Sequence, residues 1–138
     1  MEQTLTIIKP DAVGRHLAGN IIARLEAEGF ELLGMKMVYM SKQDAERFYA
    51  VHRERPFFND LTTFMSSGPC IPIAMQRDNA IDKLRQVMGA TNPAEAAEGT
   101  IRKQYALDIE KNSIHGSDSP ESAAIEIPFF FNGFEFRA

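Results

Sequence analysis

The chain carries a single cysteine, Cys70, in 138 residues, so no internal disulfide can form, in keeping with a reducing compartment. Its neighbours Pro69 and Ile71 suit a packed thiol rather than a nucleophile. No apolar run is long enough to span a bilayer, and the opening Met1-Glu2-Gln3-Thr4 lacks the basic and apolar regions of a secretory signal. A cytoplasmic location, with no membrane partner, is the expectation. Excess positive charge is also missing: 15 Lys and Arg against 19 Asp and Glu leave a net charge of -4. That balance argues against a nucleic-acid coat, whose affinity comes from basic side chains neutralising phosphates, so any anion site must be local. Three scattered histidines and one cysteine give no zinc spacing. No G-x-G-x-x-G is present, and Gly29 and Gly34, though spaced like a P-loop, are followed by Met35 and Lys36 instead of Lys and Ser/Thr. A metal, if used, arrives with the substrate.

What is present is the material of one globular domain, residues 1–138, with 44% hydrophobic residues and no repeat, linker or low-complexity segment. Thr4 to Lys9 alternates as a strand with Leu5, Ile7 and Lys9 on one face, and Pro10 stops it. Ala18, Ile21, Ile22 and Leu25 form a helical stripe ending at Gly29. Phe30 to Met40 reads as a long strand interrupted by Gly34, and Ser41 with Asp44 forms a capping box for the helix carrying Ala45, Phe48, Tyr49 and His52. Asn59 starts a short helix, and Cys70 to Met75 is the third strand. Asn79 caps a helix with Ile81, Leu84, Val87 and Met88 inward, ended by Gly89.

Beyond Gly89 the periodicity fades until a short strand at Ser113 to His115, followed by a helix that Pro128 closes. The order predicts an α+β fold: a four-stranded antiparallel sheet with helices on one face, the ferredoxin-like βαββαβ arrangement. The long connection from Gly89 to Asn112 is expected to be functional, since it holds Thr91, Arg102 and Asn112, all able to bind phosphate or ribose oxygens.

One histidine stands apart. In Asn112-Ser113-Ile114-His115-Gly116-Ser117-Asp118-Ser119-Pro120-Glu121, Asp118 is an N-cap type with Glu121 three residues on, which puts unpaired N–H groups and a positive dipole end near His115. Such a terminus attracts phosphate. Lys9, Arg85 and Arg102 are further candidate phosphate ligands. Taken singly, each has an ordinary reading: Lys9 a snorkelling strand end, Arg85 an edge cover, Arg102 a solvated loop charge. Tyr49 and Phe57 read alone as core aromatics, and His16 and His52 as structural.

Together the residues carry a resemblance. Ile8-Lys9-Pro10-Asp11-Ala12-Val13, His52-Arg53-Glu54-Arg55-Pro56-Phe57-Phe58, Ser67-Gly68-Pro69, Gly89-Ala90-Thr91-Asn92-Pro93, Gly99-Thr100-Ile101-Arg102 and Asn112-x-x-His115-Gly116-Ser117-Asp118 resemble nucleoside diphosphate kinase, in order and over essentially the whole chain. The resemblance implies ping-pong transfer of the γ-phosphoryl group from ATP or another nucleoside triphosphate to nucleoside and deoxynucleoside diphosphates, maintaining both triphosphate pools. His115 would be the nucleophile, through a pros-phosphohistidine, and Glu126 would hold its other ring nitrogen and fix the tautomer. Lys9, Arg85 and Arg102 would neutralise the phosphates, with Thr91 and Tyr49 as hydroxyl donors. Lys9 and Asn112 would contact the ribose, and Phe57 would stack on the base with Ile109 closing the other side. Mg²⁺ would bridge the phosphates with no direct protein ligand, Asp118 touching at most its water shell. The family also implies a homo-oligomer, a tetramer or a hexamer.

Two positions depart from the commoner pattern. Gln104 stands where an acidic residue is frequent, and Pro72 lies inside a strand expected to be central, where its missing N–H implies a bulge or an unpaired edge. Two rivals use other chemistry. A histidine phosphocarrier would share the phosphohistidine but needs no base-stacking aromatic or triphosphate clamp, against which Phe57, Tyr49, Arg85 and Arg102 weigh. A ferredoxin-like nucleic-acid binding module would show an RNP1 aromatic string and a basic face, and neither is visible.

Overall fold

A computed structural model describes residues 1–137; Ala138, the last residue of the expected domain, lies outside the described residues. Strands β1 (Glu2–Ile8), β2 (Glu31–Met35), β3 (Ile71–Arg77) and β4 (Ile114–Gly116) form one sheet in the order β2-β3-β1-β4, with every adjacent pair antiparallel. Helices are α1 (Pro10–Gly14), α2 (Ala18–Ala27), α3 (Lys42–Phe48), α4 (Phe58–Met65), α5 (Ala80–Met88), α6 (Ile101–Tyr105) and α7 (Pro120–Phe130). The expected ferredoxin-like α+β sheet is the observed one, except that helices cover both faces rather than one. Leu5, Ile7, Leu33 and Ala74 pack with Ala45, Phe64, Met65, Ile127 and Phe130 on one side. Ile8, Ile73, Met75 and Ile114 pack with Ile21, Leu25, Leu84 and Ile101 on the other. Alternation along β1 and β3 sends successive side chains to opposite faces, so a doubly covered sheet reads as a continuous apolar run.

Local chemistry explains most element ends. Ser41 and Asp44 form the expected reciprocal capping box of α3. Asn79 does sit at the N-cap of α5, but in a left-handed conformation and without a side-chain bond; Glu2 Oε1 instead accepts the Ile81 N–H at 2.8 Å. Gly89 ends α5 at φ +86°, and a Cβ there would come within 2.5 Å of Thr100 Oγ1, so only glycine fits. The predicted strand from Phe30 to Met40 is shorter, ending at Met35 after a register shift between Leu32 and Gly34, with one further bridge from Val38 to Cys70. Cys70 is fully buried and burial pushes its thiol up to about 12, as expected of a packed cysteine.

Three expectations need correction at prolines. Pro10 does not merely end β1; it occupies the first turn of α1, a position where its missing N–H costs nothing. The N-cap of α7 is Ser119, whose Oγ accepts the Ser122 N–H at 3.0 Å, not Asp118, so the Asp118–Glu121 capping box does not form. Pro128 lies inside α7 rather than closing it. The carbonyl deprived of its helical donor, on Ala124, belongs to an exposed residue. Pro72 is indeed in a central strand, paired with Ile7, but without a bulge of its own. Its carbonyl accepts from Lys36 N–H at 3.3 Å, so its missing N–H faces Lys36 and removes one bond between the β2 pairing that ends at Met35 and the Val38–Cys70 bridge.

Candidate active site

His115 lies on β4 opposite Ile7, on the sheet face covered by α3, α4 and α7. Thr6 Oγ donates to the His115 carbonyl at 2.7 Å, fixing the strand beneath the imidazole. Gly116 follows, packed closely under α5: a Cβ there would come within 2.8 Å of the side-chain ends of Leu84 and Met88, which would have to shift. Next, Ser117 extends the ladder, its N–H donating to Leu5 O at 3.0 Å.

The imidazole is fixed from several sides. His115 Nε2 is 2.9 Å from Glu126 Oε1 on α7, and Ser117 Oγ donates to the same oxygen at 2.9 Å. A carboxylate only accepts, so Nε2 carries the hydrogen and Nδ1 keeps a free lone pair. The rings of Phe48 and Tyr49 meet the imidazole edge-on, with centroids 5.5 Å and 6.1 Å away. His115 opens onto a cleft of about 690 Å³.

The other expected residues converge on that cleft. Lys9, Tyr49, Phe57, Arg85, Thr91 and Arg102 line it, as do Ile109, Asn112 and Asp118, while Glu126 stands behind the histidine. Lys9 caps α1, and its Nζ donates to Asn112 Oδ1 at 2.8 Å. Asn112 is held by its amide, which donates to the carbonyls of Ile109 and Thr91 at 3.1 Å and 3.3 Å. Arg102 donates to Gly89 O at 3.0 Å and Ile114 O at 2.7 Å, tying the end of α5 to β4. Arg85 is exposed and reaches the Asp118 carbonyl at 3.3 Å. Phe57 and Ile109 are exposed on the cleft, 45% and 61% respectively.

The electrostatics are those of an anion site. Lys9 and Arg102 are only 7% and 8% exposed, and among the described residues neither has an ion-pair partner. Burial first, and Arg102 second, bring the Lys9 ammonium down to about 8; burial likewise brings Arg102 down to about 10, with Asp118 opposing. Among the described residues, the buried atoms Tyr49 Oη and Arg102 Nε on the cleft have no hydrogen-bond partner. Buried polar groups are normally paired, so these donors fit an incoming oxygen-rich ligand.

The stretch after Gly89 is not structureless. It contains a 3-10 turn at Pro93–Glu95 and helix α6, capped by Thr100 and carrying Arg102. His52, expected to be structural, lines the cleft between Tyr49 and Phe57, with centroids 6.4 Å and 5.5 Å away. Ser117 was unassigned; its place two residues after the histidine was the available signal. Gln104 is exposed on α6.

Residues 2–136 match the family model described as nucleoside diphosphate kinase. The chain belongs to the nucleoside diphosphate kinase family. It is 58% identical over 135 residues to the nucleoside diphosphate kinase of Geotalea daltonii and 59% identical to that of Trichlorobacter lovleyi, with 98% of each chain covered in both cases. Among solved structures, a crystal form of the Aquifex aeolicus nucleoside diphosphate kinase superposes with a TM-score of 0.97 at 45% identity, covering 99% of both chains. The Halobacterium salinarum nucleoside diphosphate kinase in complex with CDP gives 0.95 at 39% identity, covering 99% of this chain and 91% of that one.

Proposed function

We propose that the chain, as one catalytic domain over residues 1–138, moves the γ-phosphoryl group of a nucleoside triphosphate to a nucleoside diphosphate through a phosphohistidine on His115. The observation that carries this reading is the His115–Glu126 contact at 2.9 Å, which leaves Nδ1 free toward a cleft where Lys9 and Arg102 are buried without an ion-pair partner among the described residues. In the first half-reaction the Nδ1 lone pair forms a bond to the γ-phosphorus, the bond to the β–γ bridging oxygen breaks, and the nucleoside diphosphate leaves. The Nε2 hydrogen stays in place, and Glu126 offsets the positive charge on the phosphorylated ring. A β-phosphate oxygen of the acceptor then attacks, and the N–P bond breaks. No proton need move, so no general base is required.

The remaining assignments follow the cleft. Lys9, Arg85 and Arg102 neutralise phosphate oxygens, and Tyr49 and Thr91 donate hydroxyl hydrogens. Lys9 and Asn112 hold the ribose. Phe57 and Ile109 sandwich the base by its apolar faces, which every base has, so broad base tolerance is expected. Among the described residues no group of three His, Cys, Asp or Glu side chains is arranged to hold a metal ion, and Asp118 is largely exposed. Mg²⁺ would arrive on the phosphates, and the exposed Asp118 carboxylate on the cleft wall would be the residue to meet its water shell. The bound ion supplies charge neutralisation to the phosphate oxygens. Self-association is part of the proposal, supported by exposed Met35, Met37 and Tyr39 along the outer sheet strand and the segment after it; sedimentation distinguishes tetramer from hexamer. No described helix is long and apolar enough to cross a membrane, and a cytoplasmic location fits the proposed substrates.

Steady-state kinetics test the reading. With ATP as donor and CDP, GDP or UDP as acceptor, double-reciprocal plots should be parallel for each acceptor, and intersecting lines would rule out the covalent relay. Lys9 gives a further expectation. Its charge is present below about 8 and lost above, so nucleoside diphosphate affinity should weaken as pH rises from 7 to 9.5. In Lys9→Met, affinity should be weaker at pH 7 and should no longer fall across that range. Calorimetric titration checks both; a wild-type affinity unchanged over the range contradicts the Lys9 assignment. Stability runs the other way for this group. The unfolded chain holds the extra proton between about 8 and 10.5, so the Lys9 contribution makes the folded state more stable as pH rises through that window.

A further inference from the structure

Ser113 adopts φ +74° although it is not glycine, and it is fully buried. The Ile114 N–H donates back to Asn112 O at 2.9 Å, closing a three-residue turn of the strained, positive-φ kind. Such a conformation persists only where the surroundings impose it, and here every polar group of Ser113 is held. Asp11 Oδ1 accepts its N–H at 3.3 Å and Oδ2 accepts its Oγ–H at 3.1 Å, while its carbonyl accepts the Lys9 N–H at 2.9 Å. Arg15 adds a brace, its guanidinium 3.1 Å from Asp11 Oδ2 and 2.6 Å from Tyr105 O at the end of α6. The Asp11 side chain is only 3% exposed and is not part of the cleft wall.

We propose that Asp11 is a positioning residue for phosphoryl transfer: its carboxylate holds the Ser113 turn, and the turn sets Asn112 against Lys9 and starts β4 so that His115 faces the phosphates. The inference rests on the phosphotransfer reading above. Asn112 opens the turn and His115 directly follows it, so a relaxed φ at Ser113 redirects the chain between the ribose contact and the nucleophile. The same cluster joins α1, α6 and β4, which carry Lys9, Arg102 and His115 between them. Displacements of about 1 Å in such a constellation cost up to about 100-fold in rate.

The test compares kcat/KM for ATP-to-CDP exchange, per folded molecule by circular dichroism, in Asp11→Ala, Asp11→Asn, Ser113→Gly, and Asp11→Ala combined with Ser113→Gly or Ser113→Ala. Asp11→Ala should lose about 10- to 100-fold, and Asp11→Asn, which keeps one acceptor oxygen, should lose less. Because glycine takes positive φ without cost, adding Ser113→Gly should bring Asp11→Ala back to within about threefold of Ser113→Gly alone. Adding Ser113→Ala should not. Asp11→Ala within twofold of wild type overturns the proposal, as does recovery with both second substitutions or with neither. Should Asp11→Ala fail to fold, Asp11→Asn with and without Ser113→Gly decides by the same criterion. Wild-type exchange that His115→Ala abolishes is measured first: its absence sinks the phosphotransfer reading, whereas its presence without glycine rescue sinks only the part assigned to Asp11.

Discussion

Replacing His115 with Ala is expected to lower exchange between ATP and CDP by about 10⁴-fold or more, because the covalent route disappears and only binding of the two nucleotides remains. Nucleotide affinity should change little. The imidazole contributes one edge of a cleft whose cations, Lys9 and Arg102, are anchored by other residues, namely Asn112 and the carbonyls of Gly89 and Ile114. The fold should persist too, since His115 is partly exposed and the strand beneath it is held through its backbone by Thr6 and Ile7. The measurements are a coupled spectrophotometric assay, calorimetric CDP binding and thermal unfolding. Loss of exchange accompanied by loss of binding would mean that the histidine holds the substrate rather than receiving the phosphoryl group.

Arg102→Ala should have the next largest effect, with kcat/KM down by about 1,000-fold, the scale of removing a guanidinium that stabilises charge on a migrating phosphoryl group. Here the fold also responds. Two carbonyls, of Gly89 and Ile114, lose their donor, and leaving such groups unsatisfied costs about 1–3 kcal/mol each. Part of that is offset because burial already disfavours the guanidinium charge, bringing its pKa down to about 10, so a net loss of about 1–3 kcal/mol is expected in urea unfolding. Arg102→Lys keeps the charge but cannot span both carbonyls, and should lie between the two proteins in both readouts. Retention of kcat/KM within tenfold in Arg102→Ala would show that Arg102 is a brace and not a phosphate ligand.

The convergence of Lys9, Arg102, Asn112 and His115 was legible in the sequence only through the family resemblance. Each residue alone reads as ordinary, and contacts such as Lys9 to Asn112 span 103 positions. The strand and helix pattern was legible from periodicity where elements are long, as in α2 and α5. It failed where they are short. Helix α6 has five residues, too few for an apolar stripe to repeat, so Arg102 looked like a loop charge although Thr100 caps the helix ahead of it. Prolines mark several element starts. Pro10, Pro93 and Pro120 each occupy the first turn of a helix or 3-10 turn, with Lys9, Asn92 and Ser119 at the caps. Pro10 read as a helix start would have placed α1; Pro120 does suit a first helical turn, but the Asp118–Glu121 spacing pointed to a cap one residue before Ser119. The Ser113 turn had no sequence signal at all, because its strain is imposed by Asp11, 102 positions away.

The most direct measurement of the central claim is the chemical position of the phosphate on the isolated intermediate. Incubation with ATP labelled in the γ-phosphate, followed by removal of nucleotide, peptide mass spectrometry and phosphorus NMR, should find one acid-labile, base-stable phosphoryl group on Nδ1 of His115. Adding CDP should discharge it to CTP. A protein that stays unlabelled while exchange proceeds, or a phosphate on Nε2, on another residue or on an oxygen atom, would contradict the account.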